Sequence, residues 1–200
     1  MNYMKQNTPD PTAKSVLKEQ IVGFYENLPR FVDDCEIHLI SNKYHPGVIE
    51  HFFAWNGHDY TLLIKPARLD GNSAPGQTTG DKFIFPGASE ALLEKTLRYL
   101  AVGENVNFDN KRCLIKFSLS EIIRAFALIN NTVVNGEQIA HSLDVLVGTE
   151  YLLKRKSNIY RFRTFNASHW RVDNNERHCL LYFTPIFLNH TPIYPGFFDD

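Results

Sequence analysis

The sequence has 200 residues, of which 44% are hydrophobic and 22% charged, and its formal net charge is −1. This composition predicts a folded protein of one domain or two small ones, and it excludes a generally basic nucleic-acid-binding chain, so any electrostatic footprint must be local. The N-terminus lacks a signal-like apolar core and the length of a membrane anchor, and the three cysteines are widely spaced, so we expect a cytoplasmic protein with buried thiols.

The first 85 residues predict a polar lead-in followed by a short helix and a β-hairpin. We expect residues 1–15 to be disordered and residues 16–85 to form the helix and hairpin region, with a mobile Gly-, Ser- and Thr-rich loop at 69–81. Asn56-Gly57 separates two β-rich runs and tolerates the two positive φ angles of a type I′ turn. The short helix ends before a proline and has four apolar positions: Val16, Ile21, Phe24 and Leu28.

Residues 86–200 predict a second domain that begins with an amphipathic helix. Glu94 lies four residues before Arg98, a spacing that favours a helical ion pair, and Gly103 marks the end of the pattern. One face of this helix is apolar: Leu92, Leu93, Leu97 and Leu100.

A strand candidate, CLIKF, is followed by two helices whose starts are both specified by capping boxes. Ser118 with Glu121 begins the first helix, and Asn135 with Gln138 begins the second. We expect the second helix to end at Gly148 in a left-handed cap. Its predicted buried stripe is Ile139, Leu143, Leu146 and Val147, and its predicted outer residues are Glu137, Gln138, His141, Ser142, Asp144 and Val145.

Two basic runs, EYLLKRK and IYRFRTF, predict a second hairpin around Ser157-Asn158. A two-residue loop there pairs Lys154 with Arg161, and the alternation places cations on one face. Like charges opposite each other destabilise a strand pair, and residues 151–171 contain no Asp or Glu, so a phosphate backbone is the expected countercharge. The opposite, core-facing side would carry Tyr151, Leu153, Arg155, Tyr160, Phe162 and Thr164.

The order strand, helix, turn, helix, hairpin predicts an α+β fold, a winged helix-turn-helix with an N-terminal β-hairpin extension. A solvated hairpin rim that avoids edge pairing is the alternative interpretation of the cations. The second helix has no Lys or Arg, so base reading and a protein–protein face remain equally open for it. The candidate DNA-binding residues are Lys154, Arg155, Lys156, Arg161 and Arg163 in the hairpin and Gln138, His141 and Ser142 on the helix.

In their order, several segments resemble the N-terminal winged helix of bacterial plasmid replication initiator (Rep) proteins. They are FYENLPRF, HDYTLLIKPARL, FPGASEALLEKTLRYLAV, IKFSLSEIIRAF, IAHSLDVLVGTEYLL and LYFTPIFL, and they span roughly residues 24–189. The resemblance implies binding of double-stranded DNA at repeated origin sites, a homodimer, and repression of the protein's own promoter. Initiators of this kind continue into a second winged helix that reads the major groove, whereas this sequence ends after PIYPGFFDD, so the resemblance favours backbone contacts, dimerisation or both.

Other sites have weaker support. Cys35 and His38 with His45, His51 or His58 approach a metal-ligand spacing, but no second tight pair completes the set. The loop at 69–81 lacks the P-loop pattern. We therefore expect no enzyme activity, cofactor, metal, small-molecule substrate or membrane attachment. The alternative function is a dimerisation or protein-docking module that uses the helix face and the aromatic C-terminal segment.

Overall fold

The structure is a computed structural model that describes residues 23–33, 47–69, 82–101, 106–109, 112–173 and 176–183; the side chains of residues 106–109, 112, 113 and 183 are not part of this description. The described residues contain a helical turn at 23–26, three longer helices and ten strands. Helices and antiparallel sheets are both present, as an α+β fold requires.

The longer helices are α1 (Ala88–Leu100), α2 (Leu119–Asn130) and α3 (Gly136–Gly148). The strands are β1 (Ile49–Trp55), β2 (His58–Lys65), β3 (Ala67–Leu69), β4 (Lys82–Ile84), β5 (Val106–Asp109), β6 (Arg112–Ser118), β7 (Glu150–Arg155), β8 (Asn158–Phe162), β9 (Phe165–Asp173) and β10 (Glu176–Phe183). They form a first sheet in the order β1-β2-β7-β8, a second sheet in the order β5-β6-β10-β9, and the small pair β3-β4.

The N-terminal hairpin β1–β2 confirms the turn predicted from the sequence. Trp55 pairs with His58, so the loop is Asn56-Gly57. Both loop residues have positive φ, 47° for Asn56 and 77° for Gly57. Glycine and asparagine are the residues that tolerate this conformation at least cost, which explains why a dipeptide alone predicted the hairpin.

The second hairpin, β7–β8, is present, but the predicted turn position and pairing were wrong. Arg155 pairs with Asn158 and Lys154 with Ile159, so the turn is Lys156-Ser157 and Lys154 does not oppose Arg161. The register is two residues away from the predicted one, which leaves every side chain on the predicted face. The observed register stacks the Tyr151 ring on the Phe162 ring, with centroids 5.1 Å apart.

The winged helix predicted with β7–β8 as its wing is not confirmed, because this hairpin lies in a different sheet from the strand that precedes the two helices. Strand β6 pairs with β5 and β10, whereas β7 pairs with β2 in the first sheet. The pairing of β2 with β7 joins segments about 90 residues apart in sequence, and hydrophobic alternation does not specify such a partner.

The helix starts follow the predicted capping boxes. Ser118 accepts a hydrogen bond from the Glu121 amide, and Asn135 accepts one from the Gln138 amide. The predicted left-handed cap at Gly148 was wrong: the positive-φ glycine of the described residues is Gly57. A Cβ on Gly148 would lie 2.7 Å from the Ala67 Cβ, so glycine is needed there for the close approach of α3 to β3.

Two hydrophobic clusters hold the fold together. The first joins the three helices to the second sheet through Leu97, Phe117 and Leu143. The second joins residues 24–32 and the first sheet through Phe24, Leu62 and Tyr151. The sequence predicted a domain boundary between residues 85 and 86. The second cluster contains residues from both sides of this boundary, so the first sheet combines strands from both predicted domains. The boundary itself remains a prediction.

Several predictions fall outside the described residues. The disordered segment 1–15, most of the loop 69–81, the ligand candidates Cys35, His38 and His45, and the segment after residue 183 are among them. The predicted first helix is described only from residue 23, where Phe24 and Leu28 are buried as expected.

Candidate nucleic-acid interface

The β7–β8 hairpin places four cations on the solvent side of the first sheet. Even-numbered residues of β7 and odd-numbered residues of β8 share this side, because side chains alternate along a strand. We call the four residues Lys154, Lys156, Arg161 and Arg163 the cationic set; Lys156, at the turn, has a φ of 51°. The opposite side buries Tyr151 and Leu153 in the second cluster. The hairpin therefore has the predicted arrangement, with core-packing side chains on one side and the cationic set on the other.

The Glu150 carboxylate balances part of the positive charge of the hairpin, for which the sequence had predicted a DNA phosphate as the countercharge. Its carboxylate lies 2.8 Å from Lys65 Nζ, 3.5 Å from Arg161 Nε and 3.9 Å from Arg163 Nη2. The hydrogen bond from Lys65 and the charges of these three cations hold the pKa of Glu150 below its ordinary value. Glu150 precedes the acid-free stretch by one residue, and its contact with Lys65 depends on the unpredicted pairing of β2 with β7.

The two lysines of the cationic set differ from its two arginines. In the described part of the chain, Lys154 and Lys156 have no ion-pair partner. Lys154 lies between Thr61 on β2 and Ile159 on β8, which are both uncharged. These lysines are therefore the members of the cationic set whose charge is not already paired with a carboxylate of the described residues.

Arg155 is not part of this surface, although the sequence made it a candidate for DNA contact. Its side chain lies on the core side of the sheet and is buried. The Arg155 guanidinium carbon lies 5.8 Å from the centre of the Tyr60 ring. The alternation that exposes Lys154 and Lys156 directs Arg155 inward.

The three candidates on α3 have different environments. His141 is exposed, and Gln138 is exposed while its side chain accepts a hydrogen bond from the Asn135 amide. Ser142 is buried, as is Val145, so both predictions of exposure were wrong. α3 packs against α1, β3 and β9, and a helix with several packed sides buries more than one stripe.

A further hairpin beside α3, formed by β9 and β10, was not recognised from the sequence. The Arg177 guanidinium carbon lies 4.4 Å from the centre of the Trp170 ring, and His178 pairs with Arg171 across the strands. Glu176 accepts a hydrogen bond from Ser120, which ties this hairpin to the start of α2. The acid-free stretch 151–171 includes Arg171, but nothing local identified β9 and β10 as a pair.

Comparisons with known proteins give only structural likenesses. The chain is similar to domains 2 and 3 of RctB. One crystal structure, of selenomethionine derivatives of these domains, has a TM-score of 0.46 and 9% identity over 73% of this chain and 53% of that chain. Another, of RctB residues 155–483, has a TM-score of 0.45 and 11% identity over 76% of this chain and 57% of that chain. The chain thus spans a little over half the length of these structures. No family model and no curated protein matches.

A buried polar network lies between residues 25–30, α1 and the β8–β9 connection. Arg30 donates to both carboxylate oxygens of Glu94, over 2.5 and 2.8 Å, and to Tyr25 Oη over 3.0 Å. Tyr25 Oη also lies 3.0 Å from Thr164 Oγ1. Burial opposes the charge on Arg30, but the Glu94 carboxylate together with Tyr25 and Tyr151 raises the pKa of Arg30 above its ordinary value. Burial raises the pKa of Tyr25 to about 12.

The described residues offer little support for other kinds of site. No group of three His, Cys, Asp or Glu side chains that could hold a metal occurs among them. Cys179 is buried, and this burial raises the pKa of its thiol to about 12, so it is not an activated nucleophile. Within the described residues, no helix has the length and apolar character needed to cross a membrane.

Proposed function

We propose that this chain is a DNA-binding domain of the replication-initiator type that holds double-stranded DNA through its phosphates. The observation that carries the proposal is the cationic set, which brings Lys154, Lys156, Arg161 and Arg163 to the solvent side of one hairpin. Each phosphate that a cation neutralises releases condensed counterions, which provides affinity without reading the base sequence. The order of the sequence motifs supports the initiator type.

The two halves of the cationic set have different roles in this proposal. Lys154 and Lys156 contact phosphates directly, since no carboxylate of the described residues forms an ion pair with them. Arg161 and Arg163 are held near Glu150, which limits their side-chain freedom before DNA arrives. The same carboxylate repels phosphate, so it weakens the contribution of the arginines.

We further propose that α1, β6, α2, α3 and the β9–β10 hairpin form a winged helix in which β9–β10 is the wing. Two observations support it: β6 pairs with β10, which pairs with β9, and α3 packs against β9. The β7–β8 hairpin is then an insertion between α3 and the wing, and it joins the N-terminal hairpin β1–β2.

α3 makes a poor base-reading helix in this arrangement. Its exposed acids Glu137 and Asp144 face a negatively charged ligand unfavourably, Gln138 takes part in its own capping box, and Ser142 is buried. We therefore propose that this domain binds the DNA backbone. On the basis of the resemblance to replication initiators alone, we also propose that the protein recognises repeated origin sites, forms a homodimer and represses its own promoter.

The salt dependence of duplex binding tests the proposal. If about four phosphates are contacted, log K against log salt has a slope of roughly −3 to −4. Replacing Arg161 and Arg163 with alanine flattens the slope. The variant Glu150→Gln, which removes one negative charge beside the arginines, raises duplex affinity about two- to fivefold, because the carboxylate no longer competes with phosphate. Fluorescence anisotropy with a labelled duplex at several salt concentrations measures the affinity and the salt slope of both variants. Binding that neither variant changes would contradict the role of this hairpin.

Protein docking or dimerisation through the same sheet face is the second candidate function, because two large apolar side chains are exposed there. Phe52 on β1 is 76% exposed, and Ile159 on β8 is 61% exposed. If the face is a homodimer interface, Ile159→Ser converts a dimer to a monomer in sedimentation equilibrium. A wild-type protein that sediments as a monomer excludes self-association through this face at the concentrations used.

A further inference from the structure

A shallow groove crosses the solvent side of the first sheet next to the cationic set. Its volume is about 590 Å³, and its lining includes Phe52, Ala54, Asp59, Thr61, Lys154 and Lys156. The strand register places Phe52 opposite Thr61, Thr61 opposite Lys154, and Lys154 opposite Ile159. One row of side chains therefore runs straight across all four strands, from an aromatic ring to a cation to an aliphatic end.

The Phe52 ring is open to solvent because the side chains opposite it and after it on this side are short. It is 76% exposed, with Thr61 across the strand pair and Ala54 two residues further along β1. Other aromatic residues of the hairpin, such as Phe53 and Tyr60, pack in the second cluster instead. Phe52 thus offers one accessible π-face on a rigid strand, which suits stacking against a planar ligand.

The arrangement of aromatic, acidic and basic side chains along the groove matches the arrangement of base and phosphate in a nucleotide. Phe52 and Asp59 lie toward the β1 side, whereas Lys154 and Lys156 lie on β7 and its turn. Two strand spacings, about 10 Å, separate the Phe52 and Lys154 positions. A base stacked on Phe52 can offer amino or imino donors to Asp59, and its backbone phosphates then lie within reach of the flexible lysines. The carboxylate disfavours the opposite orientation.

We propose that this groove binds single-stranded DNA, with Phe52 as a base-stacking residue and Lys154 and Lys156 as phosphate contacts. The inference rests on the proposed function for its lysines, but it adds a residue that duplex binding does not use. Bases in a duplex are stacked and paired, so only an unpaired base presents a face to Phe52. A protein partner fits less well, since Thr61 and Lys154 separate Phe52 from Ile159 and the two apolar side chains do not form a continuous patch.

Matched substitutions at Phe52 test the proposal. Phe52→Leu keeps an apolar side chain but removes the π-face, and Phe52→Trp keeps stacking and adds a fluorophore. Leu128→Ala, at an exposed apolar position on α2, is the control. The probes are a labelled oligo-dT strand and a duplex of the same length. Phe52→Leu should weaken oligo-dT binding by about 5- to 100-fold and leave duplex binding within about twofold.

The outcomes separate this inference from the proposed function. Quenching of the Phe52→Trp fluorescence by oligo-dT, with Leu128→Ala binding like wild type, supports stacking. If wild type binds the duplex and Phe52→Leu binds oligo-dT as wild type does, the single-strand inference is overturned and the proposed function stands. If wild type binds neither probe, both fail. If Phe52→Leu changes the sedimentation of the free protein but not oligo-dT binding, the groove is a protein interface and the inference is overturned.

Discussion

Arg30 and Glu94 form the most deeply buried ion pair of the described residues, with each side chain only 4% exposed. The two hydrogen bonds between them and the contact with Tyr25 compensate the buried charges, while Arg30 Nε is buried without a hydrogen-bond partner among the described residues. Such a pair adds little net stability compared with apolar packing, but the loss of one partner leaves an uncompensated charge. The pair therefore favours the packing of residues 25–30 against α1 over other arrangements of these segments.

Glu94→Gln should destabilise the protein by about 3 kcal/mol or more, because the Arg30 charge stays buried without a counterion. Urea denaturation measures the change in the free energy of unfolding. Glu26→Gln is the matched control, since Glu26 is exposed and pairs with Arg98 over 3.1 Å, and it should cost less than about 1 kcal/mol. Equal losses in the two variants would show that burial does not determine the contribution of the Arg30–Glu94 pair.

Glu150 should make stability depend on pH in acid. Its pKa is lowered in the folded state, so its ion pairs stabilise the protein above the ordinary carboxyl value of 4.5. This contribution is lost as the pH falls through the lower folded-state pKa. The difference in Tm between wild type and Glu150→Gln should therefore shrink from about pH 6 to about pH 3. A difference that stays constant over this range would contradict the contribution of these ion pairs.

Single-residue predictions succeeded where alternation alone decides the outcome. Lys154 and Lys156 face solvent and Tyr151 faces the core because their positions on one strand fix their sides. The prediction for Ser142 failed because the packing of α3 against several elements buries a side that looked polar. The role of Glu150 was missed because Lys65 approaches it only through a long-range strand pairing.

At the scale of single elements, the close approach of α3 to β3 depends on glycine. Gly148→Ala should destabilise the protein by about 1 to 3 kcal/mol, because its Cβ would lie 2.7 Å from the Ala67 Cβ and 3.1 Å from the Ala67 Cα. The measurement is the free energy of unfolding in urea.

Gly136→Ala is the matched control at the other end of α3. Its Cβ would lie 2.8 Å from Leu119 Cδ2, the far end of a flexible side chain that can move aside. Alanine also favours helix by up to about 1 kcal/mol. We expect Gly136→Ala to cost clearly less than Gly148→Ala, and the reverse order would contradict the account of this contact.

Elements with local signals were predictable, and their exact pairing was not. The capping boxes at Ser118 and Asn135 and the Asn56-Gly57 turn depend on residues within four positions of each other. The β7–β8 turn had no equally strong dipeptide, so packing set its register: Tyr151 stacks on Phe162, whereas the predicted register would place Tyr151 opposite Thr164.

In the whole molecule, each of the two four-stranded sheets contains a pair of strands that are distant in sequence. β2 pairs with β7, and β6 pairs with β10. Periodicity predicted β2, β6 and β7 as strands but contains no information about partners, so the N-terminal hairpin was treated as an extension. Its pairing with β7 instead brings Phe52 and Lys65 onto the same face as the cationic set, and this produces the groove and the Glu150 cluster.

The β7–β8 hairpin is proposed to hold DNA by its phosphates, and a matched comparison of two double variants tests this claim. Lys154→Ala with Lys156→Ala removes two cations from the groove, whereas Lys82→Ala with Lys95→Ala removes two exposed cations elsewhere. Duplex binding is measured by anisotropy over a range of salt. We predict that the first pair reduces the magnitude of the salt slope by about 2 and the second leaves it unchanged. Equal slopes for the two variants would contradict the claim.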